Sequence, residues 1–477
     1  MRGFLVTALL WLTIHLEAAP PDRPNVLFIM ADDLRSELGC MGAQHVISPH
    51  LDALAKRGRL FTRAYCQQAV CNPSRASMMT GLRPDSLRIW DLPTHLRERR
   101  PQVVTLPQHF KKHGYHTQGI GKLFHNWRQE IQGDPQSWSV PQVLHYATHG
   151  SDKPTLPDGG ELSPNLSRNP KCDRREVPDQ AYFDGRIADL AITALRERHQ
   201  AGKPFFLGVG FWKPHLPFNA PKKYWDLYDA SQLPKPAHPN RPLHAPEIAF
   251  HDGREMLRSF GGKPPAPAQQ RELRHGYYAA ISYMDAQIGR VLAELDRLGM
   301  RENTVITFAS DHGFHLGEHG LWAKTSCFEW DAAVPMIIAP PRIKRPGHAS
   351  TALAELLDLY PTLAELAGLP KPAHLEGASL VPVLQDPQQT VKPAAFTQHP
   401  RPAYYQKRPE AMGYSIRTAT TRYTEWRNWK TGHVVARELY NHQEDSGENQ
   451  NVSALQPALA EQLARQLRQQ FPLQAHP

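Results

Sequence analysis

Val26-Leu27-Phe28-Ile29-Met30 is an apolar, strand-forming run that leads into the acidic pair Asp32-Asp33. The pattern recurs three times: Tyr115–Ile120 runs toward Lys122 and His125, Phe205–Phe211 toward Lys213 and His215, and Val305–Ala309 toward Asp311-His312. From Asn25 to about Ala339 such runs alternate with helical stretches, the pattern of an α/β fold with a mainly parallel sheet and helices on both faces. In a parallel sheet the carboxyl ends of the strands share one edge, and ligands bind in the crevice there. Four polar clusters far apart in the chain are therefore expected to meet at one site.

Helical periodicity is clearest between Tyr277 and Gly299. There Ile281, Met284, Ile288, Val291, Leu292, Leu295 and Leu298 fall on one face, and Gly299 supplies a stop. A second helix is predicted from Leu51 to Arg57, after Ser48-Pro49 and before Gly58, followed by a strand over Leu60–Tyr65. Residues 132–177 are rich in Pro, Gly and Ser and read as a long insertion loop over a substrate site. Pro-rich segments at 214–247 and 263–268 look similar, and the one at 371–392 leads into a smaller C-terminal unit. The expected division is a leader over 1–20, a catalytic domain over 21–385 and a C-terminal domain over 386–477. The last is expected to hold Tyr414–Tyr423 as a strand and Pro457–Gln470 as a helix. No internal repeat is visible.

The 477 residues suffice to bury a large core and a smaller one. The chain opens Met1-Arg2-Gly3, is apolar from Phe4 to Leu12 and reaches Ala18-Ala19, the order of a secretory signal. That run is shorter than the ~20 apolar residues of a spanning helix. A secreted, periplasmic or lysosome-like location without a stable membrane span is therefore expected. Five cysteines (Cys40, Cys66, Cys71, Cys172 and Cys327) are too few for a disulfide scaffold, and the odd count leaves at least one unpaired. The formal charge of +9 suits an acidic substrate. Nucleic acid is not the expected partner, since no standard recognition module is evident and the export signal separates the chain from most nucleic acid. Arg97-Glu98-Arg99-Arg100 reads as a solvated loop.

Taken singly, the polar clusters have ordinary explanations: Asp32 or Asp33 can cap a helix, Lys213-Pro214-His215 can be a turn, and His125 a surface residue. Their coincidence at four strand ends outweighs those readings. Asp32, Asp33 and Asp311 offer carboxylate oxygens to a hard ion, calcium before magnesium, with zinc left open by His312. A divalent cation flanked by Lys122, Lys213 and Lys324 can hold and polarise a tetrahedral oxyanion, which narrows the chemistry to sulfuryl or phosphoryl transfer. Cys71-Asn72-Pro73-Ser74-Arg75 supplies the nucleophile position. Asn72 suits an N-cap and Pro73 the first helical position, with Ala76–Thr80 continuing the helix. Cys71 then sits at the positive end of a helix dipole, where anions bind and thiols are activated.

The Cys71-Asn72-Pro73-Ser74-Arg75 core, with Ala76-Ser77 and the Thr80-Gly81-Leu82-Arg83-Pro84 continuation, resembles the signature of the type I, formylglycine-dependent sulfatases. Further stretches are similar to the iduronate-2-sulfatase subgroup: Arg83-Pro84-Asp85, Gly121-Lys122-Leu123-Phe124-His125, Lys213-Pro214-His215-Leu216-Pro217-Phe218, Gly317-Glu318-His319-Gly320, Trp322-Ala323-Lys324 and Met412-Gly413-Tyr414-Ser415-Ile416-Arg417-Thr418. Phe314-His315 and Leu321 depart from the subgroup pattern beside the presumed site. The resemblance implies an alkaline-phosphatase-like sandwich with a large central sheet, plus a smaller C-terminal α+β domain with an antiparallel sheet. It implies that a formylglycine-generating or equivalent maturation enzyme oxidises Cys71 to formylglycine, and that Asp32, Asp33, Asp311, His312 and residue 71 bind calcium. In the implied mechanism the hydrated aldehyde attacks sulfur, steadied by Arg75 and Lys122, while Lys213 and Lys324 neutralise sulfate oxygens. His215 protonates the leaving sugar oxygen and His125 acts as the base that expels sulfate. The implied substrate is a 2-O-sulfated uronic acid in a sulfated polysaccharide or oligosaccharide. The alternatives are a phosphonate monoester or phosphodiester hydrolase of the same superfamily and a non-catalytic sulfated-glycan-binding protein.

Overall fold

Asn25–Asp32 (β1) is buried along its whole length because it runs through the middle of a seven-stranded sheet covered on both faces. The structure is a computed structural model describing residues 23–125, 133–145, 153–405 and 407–475, so the leader expected over 1–20 lies outside the described residues. The other strands of the sheet are Arg59–Tyr65 (β2), His116–Gly121 (β3), Phe205–Pro214 (β4), Thr304–Ser310 (β5), Ala333–Ala339 (β6) and Ala354–Glu355 (β7). Their order is β7-β2-β6-β5-β1-β4-β3. β1 pairs in parallel with β4 and β5, β3 with β4, and β7 with β2, whereas β6 is antiparallel to β2 and β5. The sheet is thus mainly parallel, with β6 reversed.

Alternation along β1 divides the core in two. Leu27 and Ile29 face a cluster built with Pro49–Arg57 (α1), while Val26, Phe28 and Met30 face one built with Cys71–Thr80 (α2). Phe183–Ala201 (α3) and Pro267–Arg297 (α4) join the first cluster, and Leu359–Leu366 (α5) joins the second. α4 starts ten residues before the expected Tyr277, at a proline in the 263–268 segment. Pro267 costs nothing there, because a first-turn N–H has no intrahelical acceptor. Arg97 is not a solvated residue as expected. Its guanidinium forks onto Asp134 at 2.9 and 2.6 Å, tying a short helix to the start of the 132–177 segment. In that segment Cys172–Arg175 forms a strand paired with Phe218–Pro221.

The C-terminal sheet is consecutive and antiparallel: Ala395–Arg401 (β8), Ala411–Arg417 (β9), Thr421–Asn428 (β10) and Val434–Asn441 (β11), with Pro457–Gln470 (α6) packed on it. The single strand expected over Tyr414–Tyr423 is two strands joined by a turn. Thr418 Oγ1 accepts the N–H groups of Thr420 and Thr421, a turn built without glycine or proline. The two sheets are bound through polar contacts. Glu355 of β7, onto which Arg83 forks at 2.7 and 2.9 Å, accepts the N–H of Phe396 in β8 at 3.0 Å, and Asp85 accepts Trp90, Gln398 and Tyr414, each at 2.7 Å. Arg422 of β10 donates to Glu448 at 2.6 Å and to Glu329. All five cysteines are unpaired thiols. No helix among the described residues is long and apolar enough to cross a membrane.

Candidate active site

The carboxyl ends of β1, β3, β4 and β5 meet the start of α2. β1 delivers Asp32 and then Asp33, whose φ of 63° is in the left-handed region that aspartate tolerates better than most residues. Cys71 Sγ lies 3.4 Å from His312 Nε2, 3.6 Å from Lys122 Nζ, 3.7 Å from Asp32 Oδ1 and 4.0 Å from Asp33 Oδ1. Arg75, one helical turn on, donates to Asp311 Oδ2 at 2.8 Å and Asp32 Oδ1 at 3.0 Å. Lys122 Nζ donates to Asp32 Oδ2 at 2.5 Å, and Lys324 Nζ to the two oxygens of Asp33 at 2.9 and 2.8 Å. Lys324 is flanked by Ala323 at φ 74° and Thr325 at φ 95°. Such backbone costs about 1–3 kcal/mol per residue and gathers at functional sites.

Two local expectations are corrected. Helix α2 is capped by extended Val70, not by Asn72, and Cys71 is its first residue. Asn72 instead donates its side-chain amide to the carbonyls of Asp91 and Thr94. Nor is Cys71 an activated thiol: burial pushes it well above its ordinary range, although Lys122 and Lys324 pull the other way. The site's ion pairs settle the remaining charges. Burial favours neutral Asp32, but Lys122, His215 and Arg75 outweigh it and hold the carboxyl well below its usual range. At Asp33 burial wins and the carboxyl is pushed up.

The donor set fits a hard divalent cation. Asp32, Asp33, Cys71 and His215 offer ligand atoms within 4.8 Å of one another, as do Cys71, Asp311 and His312. His312 Nδ1 lies 2.9 Å from the carbonyl of Gly313 and must carry a proton there, because a carbonyl can only accept. Its Nε2 then faces Asp33 Oδ1 at 3.4 Å and Asp311 Oδ2 at 3.6 Å. Oxygens and nitrogen spaced this way suit an ion with ligand distances of roughly 2.3–2.6 Å.

His125, His215 and Lys324 line a cleft of about 440 Å³ that opens over Cys71. Lys213 is placed differently. Its Nζ donates to the carbonyls of His215 at 3.2 Å and Pro217 at 2.8 Å, bracing the turn that carries His215, and it does not line the cleft. Phe314, His315 and Leu321 are buried and do not line it either. Glu255 and Tyr404 are among the cleft residues that have no signal in the sequence. Glu255, from the short helix Arg254–Leu257, lies 3.0 Å from Lys324 Nζ and 3.2 Å from His215 Nε2. Tyr404 comes from the connection between β8 and β9. Neither follows a strand end or a periodic run, so only the tertiary fold brings them in.

The Sulfatase family profile matches residues 24–369, and a second, N-sulphoglucosamine sulphohydrolase, C-terminal, matches residues 317–475. The chain belongs to the sulfatase family. The sulfatase is 35% identical to iduronate 2-sulfatase of Mus musculus, over 90% of this chain and 91% of that protein. In fold it is similar to the phosphonate monoester hydrolase of Silicibacter pomeroyi, with a TM-score of 0.76 at 24% identity, covering 95% of this chain and 96% of the other. A protein solved with its substrate D-glucosamine-2-N,6-O-disulfate gives a TM-score of 0.73 at 22% identity, covering 95% and 100%. The sulfatase is a sulfuric ester hydrolase, and its family generally works with formylglycine and a divalent metal.

Proposed function

We propose that this sulfatase hydrolyses the 2-O-sulfate ester of an iduronate-like uronic acid in a sulfated polysaccharide or oligosaccharide, after Cys71 has been matured to formylglycine. The observation that carries the reading is the convergence on Cys71 of three carboxylates, His312, Arg75 and Lys122 at the mouth of one cleft. Similarity to iduronate 2-sulfatase over most of both chains supports the sugar assignment. Formylglycine at position 71 would supply a hydrated aldehyde, with one hydroxyl as nucleophile and a second that a serine lacks. Asp32, Asp33, Asp311, His312 and residue 71 would hold calcium, which supplies Lewis acidity toward the sulfate oxygens.

The protein's own groups do the rest. Arg75 and Lys122 fix the carboxylates and the position of residue 71, and Lys324 at the cleft floor takes up charge on the sulfate oxygens. Lys213 adds positive charge from behind the His215 turn. His215 and His125 both line the cleft over residue 71; His215 is the general acid for the leaving sugar oxygen and His125 the general base. Export by the leader, maturation by a formylglycine-generating enzyme, and a division near residue 385 complete the reading.

The test is sulfate release from defined sulfated oligosaccharides alongside matched phosphate and phosphonate esters. Release from a terminal 2-O-sulfated uronate at a kcat/KM well above that for phosphorus esters is expected. Preference for phosphonate monoesters would favour the hydrolase seen among the structural neighbours, and tight binding without release would favour a glycan-binding protein. Cys71→Ser is expected to lose turnover, because serine has no second hydroxyl.

A further inference from the structure

Burial divides the cleft into a floor and a rim. At the floor Lys324 and His215 are buried, and both contact Glu255, the one carboxylate among the described residues that line the cleft. At the rim stand Lys171, Arg254 and Arg258. Arg254 has an exposed partner in Asp252 at 3.3 Å, and its guanidinium carbon lies 5.9 Å from the centre of the Tyr404 ring. Among the described residues neither Lys171 Nζ nor the Arg258 guanidinium has an ion-pair or hydrogen-bond partner. Lys171 is half-buried, so its ammonium has shed water without gaining an anion. Burial holds it below its ordinary range, with Lys324 adding to the effect and Glu255 opposing it.

Lys171 and Arg258 line the same cleft with no anion among the described residues paired to either, so an anion bound there would gain from both charges. A guanidinium presents a planar fork to one edge of a carboxylate or sulfate, and an ammonium adds a point charge. We propose that Lys171 and Arg258 form a second anion subsite, which selects sugars carrying a carboxylate or a second sulfate beside the sulfate being cleaved. This rests on the reading of the site as a sugar-sulfatase pocket and adds the residues that read the rest of the sugar. Lys171 reaches the cleft from the end of the 132–177 segment, immediately before the strand Cys172–Arg175.

The experiment compares kcat/KM of the mature enzyme on three sugars with the same scissile sulfate: a monosulfated neutral sugar, the corresponding uronic acid, and a disulfated neutral sugar. The wild type should prefer the dianions by roughly ten- to a hundredfold, the size of one charge-assisted contact. Arg258→Ala and Lys171→Met should each bring that ratio toward one, with Arg258→Lys keeping part of it. The dianion that loses more identifies the source of the second charge. An equal ratio in wild type and variants overturns the subsite. If no sugar releases sulfate, the reading of the site as a sugar-sulfate pocket fails by itself, and titration calorimetry on the same sugars still decides the subsite. Dianions that bind more tightly to the wild type than to Arg258→Ala support it, and dianions that bind no more tightly than the monoanion overturn it.

Discussion

Replacing Lys122 with methionine keeps much of its volume and removes one charge from the floor of the site. At 2.5 Å and an effective dielectric of about 20, its attraction to Asp32 is about 6–7 kcal/mol before desolvation. Burying the two ions returns several kcal/mol of that. Asp32 keeps Arg75 at 3.0 Å, so its carboxylate is not left alone. The net loss of stability should therefore fall near the lower end of the about 3–5 kcal/mol typical of a broken buried pair. Catalysis should suffer more visibly. Lys122 Nζ is also 3.6 Å from Cys71 Sγ, and loss of one positioned donor at developing charge costs about 10²–10³ in kcat. The assay is sulfate release at saturating substrate on protein whose folding has been checked by thermal denaturation. A folded Lys122→Met variant with kcat within about threefold of wild type would refute the assignment of Lys122 to the reacting centre.

Removing divalent cations by chelation should lower both Tm and activity, because Asp32, Asp33 and Asp311 then share the site without a divalent charge; calcium should restore both better than magnesium. A Tm indifferent to chelator and to both ions contradicts the metal assignment. Glu438 is buried, accepts Trp426 Nε1 and the Tyr440 hydroxyl at 2.7 Å each, and is pushed up by burial to about 7. The folded protein holds this proton more tightly than the unfolded chain, so the stabilisation is full below pH 4.5 and is lost as pH rises to about 7. Glu438→Gln should therefore gain stability over wild type between pH 5 and 7.5, on the order of 3 kcal/mol by denaturant titration, and parallel pH curves would contradict this. Asp85→Ala strips the acceptor from Trp90, Gln398 and Tyr414 and should cost about 2–4 kcal/mol of stability while leaving kcat near wild type. Loss of kcat without loss of stability would show that Asp85 acts on the site.

The strand ends were legible because each apolar run stops at residues that cannot be buried without partners, and Asp32 is indeed buried against Lys122 and Asp311 against Arg75. Local rules failed where tertiary contacts decide. Asn72 has the side chain of a cap but spends it on Asp91 and Thr94, and the extended conformation of Val70 sets the start of the helix. The turn at Thr418–Thr421 lacks the usual punctuation residues, so two strands read as one. Lys213 sits at a strand end, yet its ammonium braces carbonyls two and four residues on. Glu255 and Tyr404 enter from segments without periodicity, and no spacing rule points to them.

The account depends most on what residue 71 becomes. Mass spectrometry of the tryptic peptide that contains it, from protein shown to release sulfate, tests this directly. The expected result is an aldehyde in place of the Cys71 thiol in the active fraction, with activity proportional to the converted fraction. Full activity in protein whose residue 71 is an unmodified thiol would contradict the account.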